Sequence, residues 1–244
     1  MRVGIDRKQA IDSVLGGFLI AVLRLPVHIA GRILKRDHDP RPRGDVLVIK
    51  MQGGGSLVLA YPALLGIRRS LPAGSRMILL TMPAVAPFAQ LLELFDEIVL
   101  VREGSLSGLF LSALAAWRRC LRVDTVIDIE VYSRMTTAFS VLTGARNRMG
   151  FYLDRTFWRR GLHTHLVFFN RFSGVHHFYE KACSLLGSSP VPWRDCGDLL
   201  RRRLTPEPSD PTRRRIAVGA ACSGFGRERM LSAAQWIDVL SRKG

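Results

Sequence analysis

DVLVIKMQGGGSLVLAYPALLGIRRSLP, residues Asp45 to Pro72, decides the fold. Asp45–Lys50 is a continuous apolar run of the length of a buried strand, Gly53-Gly54-Gly55 is a turn, and Leu57–Ser70 carries apolar residues at helical spacing. A strand, a glycine turn and a helix in that order open a βαβ unit, because neighbouring parallel strands need a helical crossover to bring the chain back.

The alternation continues on the C-terminal side. Arg76–Thr81, Glu97–Val101, Asp124–Glu130 and Asn147–Tyr152 read as further strands, with helices over Val85–Phe95, Leu106–Leu121 and Ser133–Leu142. The pattern predicts an α/β protein whose residues 45–187 form a Rossmann-like parallel sheet with helices on both faces, ending in a helix over His176–Leu186 stopped by Gly187. Residues 188–215 carry five prolines and the Arg201–Arg203 and Arg213–Arg215 triplets, and 188–214 reads as a Pro/Arg-rich linker or basic edge. A strand RIAVGA (Arg215–Ala220), a loop Ala221–Met230 and a helix Ser232–Arg242 begin a second Rossmann-like unit over 215–244. One strand and one helix cannot bury a core, so this unit is expected to be incomplete, and Trp236, Ile237 and Leu240 are expected to be its core face.

Residues 1–44 stand apart. VLGGFLIAVL (Val14–Leu23), preceded by Arg7 and Lys8, resembles the start of a signal peptide, but the run is too short to span a bilayer. Arg24 interrupts it, Pro26 follows, and no small-residue cleavage site precedes the charged stretch Arg32–Arg43. Two readings remain: an amphipathic segment on an anionic membrane face, held by Arg24, Arg32, Lys35 and Arg36, or a helix packed on the main domain.

With 48% hydrophobic and 23% charged residues among 244, the chain is neither collagen, a disulfide mini-scaffold nor a disordered tail. Thirty-six Lys and Arg against twenty Asp and Glu give +16, which favours nucleic acid, acidic lipid or phosphorylated substrates. No helix-turn-helix, RNA-recognition or OB signature is visible, so nucleic acid is not expected as a partner. Cys120, Cys183, Cys196 and Cys222 lack any C-x-x-C spacing, which points to free thiols in a reducing, cytoplasmic compartment.

Ligands of parallel sheets bind beyond the carboxyl ends of the strands, which places Gln52, Gly53, Gly54, Gly55 and Ser56 at the expected site. Ser56 is positioned to cap the following helix. The loop lacks the Gly-Lys-Ser/Thr ending of a Walker loop. It is also a poor dinucleotide fingerprint, because Val58 stands at the third glycine and Thr81 ends the second strand without a ribose-binding acid. In the second unit, Ser223, Gly224, Gly226, Arg227 and Arg229 combine amides, a hydroxyl and forked cations suited to a diphosphate. Arg155, Arg159 and Arg160, interleaved with Phe157 and Trp158, suit an anionic acceptor. His163 with His165, or His176 with His177 and Cys183, match no recognised zinc spacing, so no metal is expected.

Three stretches in order resemble the family-9 glycosyltransferases, the ADP-heptose:lipopolysaccharide heptosyltransferases. Lys50, Gly55, Val58, Ala60, Pro62, Ala63 and Leu64 match that family's opening. DTVIDIEVYSRMTTAFSVLTGARNRMGF (Asp124–Phe151) is similar to its middle stretch, and RIAVGAACSGFGRERMLSAAQWIDVL (Arg215–Leu240) to the start of its second domain. The resemblance implies a GT-B fold, with the acceptor on the first Rossmann-like domain and an ADP-heptose-like donor on the second. It also implies inverting, metal-independent transfer to a lipopolysaccharide-core-type lipid-linked acceptor at the cytoplasmic face of an inner membrane, without a cofactor. The family's general base, an Asp, falls on Ser56, and a hydroxyl with no adjacent base cannot take that proton near neutral pH. Asp45 lies at the wrong end of its strand to substitute, whereas Glu130 and Asp154 lie in loops at the cleft end. Ser223 and Arg229 fall where the family holds the donor diphosphate, and the family's later glycine- and His-containing donor segment has no counterpart before Gly244. The rival expectation is an inactive basic binding module on a membrane surface that keeps only the acceptor domain.

Overall fold

The computed structural model describes residues 9–170, 172–204 and 230–241. The chain divides into two units, Met1–Leu204 and Thr205–Gly244.

The first unit is built on six parallel strands: β1 (Val46–Ile49), β2 (Met77–Thr81), β3 (Glu97–Leu100), β4 (Thr125–Asp128), β5 (Asn147–Tyr152) and β6 (His165–Phe168). Their order is β3-β2-β1-β4-β5-β6. Val46 stands opposite Met77 on one side and Thr125 on the other, so β1 is central and the order reverses between β1 and β4. All four β1 residues are buried, as a strand covered on both faces requires.

Alternate residues divide the core in two. Val46 and Val48 face α2 (Gly54–Leu59), α3 (Tyr61–Ser70), α4 (Ala86–Leu92), α7 (His176–Leu185) and α8 (Trp193–Arg203). Leu47 and Ile49 face α5 (Leu106–Arg119) and α6 (Arg134–Leu142). The predicted Rossmann-like sheet is therefore present, with three local differences. The expected helix Leu57–Ser70 is two helices meeting at Ala60, the second starting with Pro62 in its first turn, where a missing N–H costs nothing. Beyond Tyr152, β6 adds a strand that among the described residues pairs with β5 alone; at four residues, of which Val167 is buried and Phe168 exposed, its pattern is too short to read.

The third difference lies in the stretch read as linker, which folds over Trp193–Arg203 into α8. Pro192 stands at the N-cap position, Cys196 is buried, and Arg201–Arg203 occupy the last turn, where cations complement the helix dipole. Arg203 closes α8 onto α4 through Glu93 (Nε to Oε2 3.0 Å).

The N-terminal segment forms α1 (Gln9–Leu34), 26 residues with a π-helical turn over Asp12–Gly16, continuous through Pro26. It is long and apolar enough to cross a membrane by length and composition, which corrects the reading of a run cut short at Arg24. Yet it lies along the domain beside α6 and in the same direction. The Asp12 carboxylate accepts from Ser133 Oγ (2.7 Å) and from the Arg134 and Met135 amides (both 2.9 Å), which caps α6 from outside. Gly16 packs against Arg134 with no room for a Cβ, and Ile20 is buried. Arg24 donates to the Trp158 carbonyl (3.2 Å), and Arg36, just past the helix, to that of Gly144 (2.7 Å). The next turn is fixed by Arg146, which pairs with Asp124 (2.8 Å) and donates to the Asp39 and Arg41 carbonyls.

In the second unit the described element is α9 (Ala233–Ser241). Ser232 and Gln235 form a reciprocal cap, with Gln235 Oε1 accepting from the Ser232 amide (2.8 Å). Trp236 is half-buried, but Ile237 is exposed, against the expectation of a core position; the surroundings of Leu240 and the predicted strand Arg215–Ala220 lie outside the described residues.

Candidate active site at the carboxyl end of the sheet

The strand order reverses between β1 and β4, and the space beyond the carboxyl ends at such a reversal is where open α/β sheets bind ligands. The loop after β1 enters it and turns at Gly53, whose φ of +80° is in the left-handed region that glycine tolerates best. Gly53 and Gly55 are exposed, and Gln52 and Ser56 are half-exposed. Gly54 is not available to a ligand, since the Phe88 ring fills the place of its missing side chain.

Gly53 itself is the N-cap of α2, so Ser56 does not cap the helix; it sits inside the first turn with its amide on the Gly53 carbonyl (3.0 Å). A residue three positions past a tight glycine turn is already helical, and its hydroxyl points to the cleft residues instead. The phenol of Tyr179, a residue of α7 for which the sequence carried no signal, lies near it. Burial pushes the Tyr179 phenol up to about 12, so it stays protonated and offers Ser56 no base.

Glu130, two residues past β4, ties the loop down. Its Oε1 accepts from Lys50 Nζ (3.1 Å) and from the amides of Met51 (2.8 Å) and Gln52 (3.0 Å). Lys50 is almost fully buried and its stem runs beside Gly53 and Ser56, which brings a positive charge to the rim of the site. One carboxylate oxygen thus organises the loop, and Glu130 is the expected site residue that the structure most firmly places there.

Below it lies a fully buried polar cluster. Asp128, at the end of β4, accepts from the Glu130 amide (3.0 Å), Thr136 Oγ1 (2.9 Å) and Arg159 Nη2 (3.2 Å), with His163 Nε2 at 3.9 Å. Burial pushes the Asp128 carboxyl up to about 6 against the opposing pull of the Arg159 guanidinium. Arg159 also donates to the Glu130 backbone carbonyl, so it props the loop after β4 from beneath. It is buried and takes no part in an exposed acceptor patch, whereas Arg155 and Asp154 are exposed in the turn Asp154–Arg159. Arg160 is exposed and lies over Phe157 (5.9 Å).

His176, His177 and Glu180 bring possible ligand atoms within 4.8 Å of one another, with Glu180 where the sequence had offered Cys183. Cys183 is buried, with its sulfur against Gly66. Ser223, Arg227 and Arg229, the expected donor-phosphate residues, lie outside the described residues, as does Cys222.

No protein-family model and no curated protein matches the sequence. Among solved structures, the glycosyl transferase family 9 protein from Veillonella parvula shares 18% identity over 63% of this chain and 43% of its own, with a TM-score of 0.49. The E. coli heptosyltransferase WaaC, solved with ADP-2-deoxy-2-fluoro heptose, shares 13% over 60% of this chain and 49% of its own (TM-score 0.49). E. coli ADP-heptose LPS heptosyltransferase II shares 13% over 58% and 40%, with a TM-score of 0.45. The chain spans less than half the length of each of these three proteins. Over about 60% of its own length it is similar in fold to family-9 glycosyltransferases, heptosyltransferases among them.

Proposed function

We propose that the chain is the acceptor-binding half of a glycosyltransferase. The reaction passes heptose or a related sugar from an ADP-sugar to a lipid-linked acceptor of the lipopolysaccharide-core type, at the cytoplasmic face of an inner membrane. The acceptor hydroxyl attacks the anomeric carbon, the bond to the diphosphate breaks on the opposite face, and configuration inverts. Gln52, Gly53 and Gly55 line the acceptor side, and Ser223, Arg227 and Arg229 neutralise the leaving diphosphate in place of a metal. The observation that carries this reading is the glycine loop Lys50–Ser56, held by Glu130 at the switch between β1 and β4, where the motif resemblance puts the acceptor.

A second reading, a binding module without turnover, is favoured by one feature of the same site. Ser56 stands where the resemblance puts the base, and its neighbours are a protonated phenol and a lysine.

Ser56→Asp in the full-length protein, assayed with ADP-heptose and a lipid-linked core acceptor, separates the two. The transfer reading expects a rise on the order of 10²-fold or more, the usual worth of a positioned general base. Saturable acceptor binding with no transfer by either form would establish the binding module.

A further inference from the structure

A cleft of about 420 Å³ separates the second half of α1 from α6 and the β5–β6 edge, away from the glycine loop. Its walls differ. Val27, Leu34 and Val141 are apolar, while Arg32, Arg36 and Arg148 bring guanidinium groups, and among the described residues no acidic side chain lines it.

Arg148 donates to the carbonyls of Leu162 (2.9 Å) and Ala145 (2.6 Å), and neither Arg148 nor Arg36 forms an ion pair among the described residues. Burial, with the Arg36 charge added, pulls the Arg148 guanidinium down to about 10. Two cations crowded in a partly dry cleft without a counter-charge are costly, and an anion placed between them removes that cost. Planar guanidinium forks fit phosphate oxygens better than a lysine would. His163 also lines the cleft, and neither of its buried ring nitrogens has a hydrogen-bond partner.

The outer face of the same helix supplies the second half of the argument. Val14, Phe18, Val22, Leu25, Ile29 and Ile33 follow one another at spacings of three and four and are 46–75% exposed. That spacing makes one stripe on the face turned from the domain, ~30 Å long at 1.5 Å per residue. Asp12, Arg24 and Arg36 tie α1 to the domain along nearly its whole length, which a helix crossing a bilayer would have to give up. An apolar stripe on a segment that also carries Arg24, Arg32, Lys35 and Arg36 has the composition of a helix lying in an anionic membrane interface, with the cations on the polar side.

We propose that α1 lies in the interface of an anionic membrane and that the cleft beneath it takes the phosphate of an anionic phospholipid headgroup between Arg32, Arg36 and Arg148. The inference rests on the membrane placement proposed above, not on sugar transfer.

The test is flotation of the full chain with vesicles of phosphatidylcholine alone and of phosphatidylcholine mixed equally with phosphatidylglycerol. Wild type floats with the anionic vesicles. Arg36→Gln with Arg148→Gln weakens that binding about tenfold, and Arg36→Gln alone, at an exposed position, weakens it severalfold. Arg118→Gln with Arg122→Gln removes the same charge elsewhere and has a much smaller effect. Equal losses in both double variants would overturn the cleft and leave only general charge attraction. Failure of wild type to float with any vesicle would overturn the membrane placement itself while leaving sugar transfer untouched. Loss of flotation with the anionic vesicles when soluble glycerol phosphate is added at the same concentration as the phosphatidylglycerol would overturn the lipid as the ligand.

Discussion

At the scale of single residues, two carboxylates two positions apart do different work. Glu130 turns one oxygen to three donors of the loop after β1 and sets the shape of the candidate site. Asp128 is sealed below it with Arg159, Thr136 and His163. The sequence marked Glu130 by its place after a strand, but Asp128 and Arg159 read as part of a strand and part of an exposed basic patch. Burial, together with the charges of Arg159 and Arg148, holds His163 well below its ordinary value, so the imidazole is neutral in the folded state. In the unfolded chain it takes a proton near pH 6.5, and stability then falls as pH falls below that point by about 1.4 kcal/mol per pH unit. Asp128, raised to about 6, acts with the opposite sign between pH 6 and 4, because there the folded state is the one that holds the extra proton. The histidine share is therefore read as a difference. Urea unfolding of wild type and His163→Gln from pH 7.0 to 5.5 should show a gap that shifts against wild type as the medium becomes more acid. A pH-independent gap would mean that His163 is charged when folded.

At the scale of elements, α3 shows how tertiary contact overrides propensity. Gly66 lies inside a helix, where alanine is ordinarily better by about 1 kcal/mol. A Cβ at that position would meet the Ser189 carbonyl at 2.1 Å, because the chain leading to α8 crosses directly over α3 and is pinned there by the Val191 amide on the Pro62 carbonyl (3.0 Å). Gly66→Ala should accordingly destabilise by about 1–3 kcal/mol, measured by denaturant midpoint; a gain in stability would show that this crossing is loose. The same crossing explains why composition alone reads residues 188–204 as linker or basic edge, although Trp193–Arg203 is a helix with Cys196 in the core. Proline and arginine composition is a local signal, whereas the burial of Cys196 and the Arg203–Glu93 pair come from an element packed more than a hundred positions from its partners.

At the scale of the whole molecule, the +16 charge is unevenly used. Arg68, Arg76, Arg146 and Arg159 pair with acids and hold the first unit together, while Arg36 and Arg148 face a cleft without one. Every member of the two core clusters lies between Val46 and Cys196, so the first unit carries its own core. A chain ending at Leu204 should unfold cooperatively, with a midpoint within about 3 °C of the full chain, a shift that corresponds to roughly 1 kcal/mol in a domain of this size. Thermal circular dichroism checks this, and a broad, non-cooperative melt would show that residues beyond Leu204 complete the fold.

Strand and helix periodicities are local, and so the order of residues alone determined the alternation of the first unit and the position of its glycine loop with Ser56 at its end. What the tertiary structure decided are the contacts across crossovers: Glu130 on a loop some eighty positions away, Tyr179 against Ser56, and Asp12 capping α6. The cleft under α1 belongs with them. Each joins residues that neither periodicity nor spacing relates, because their distance in space is set by the order of strands in the sheet and not by their distance along the chain.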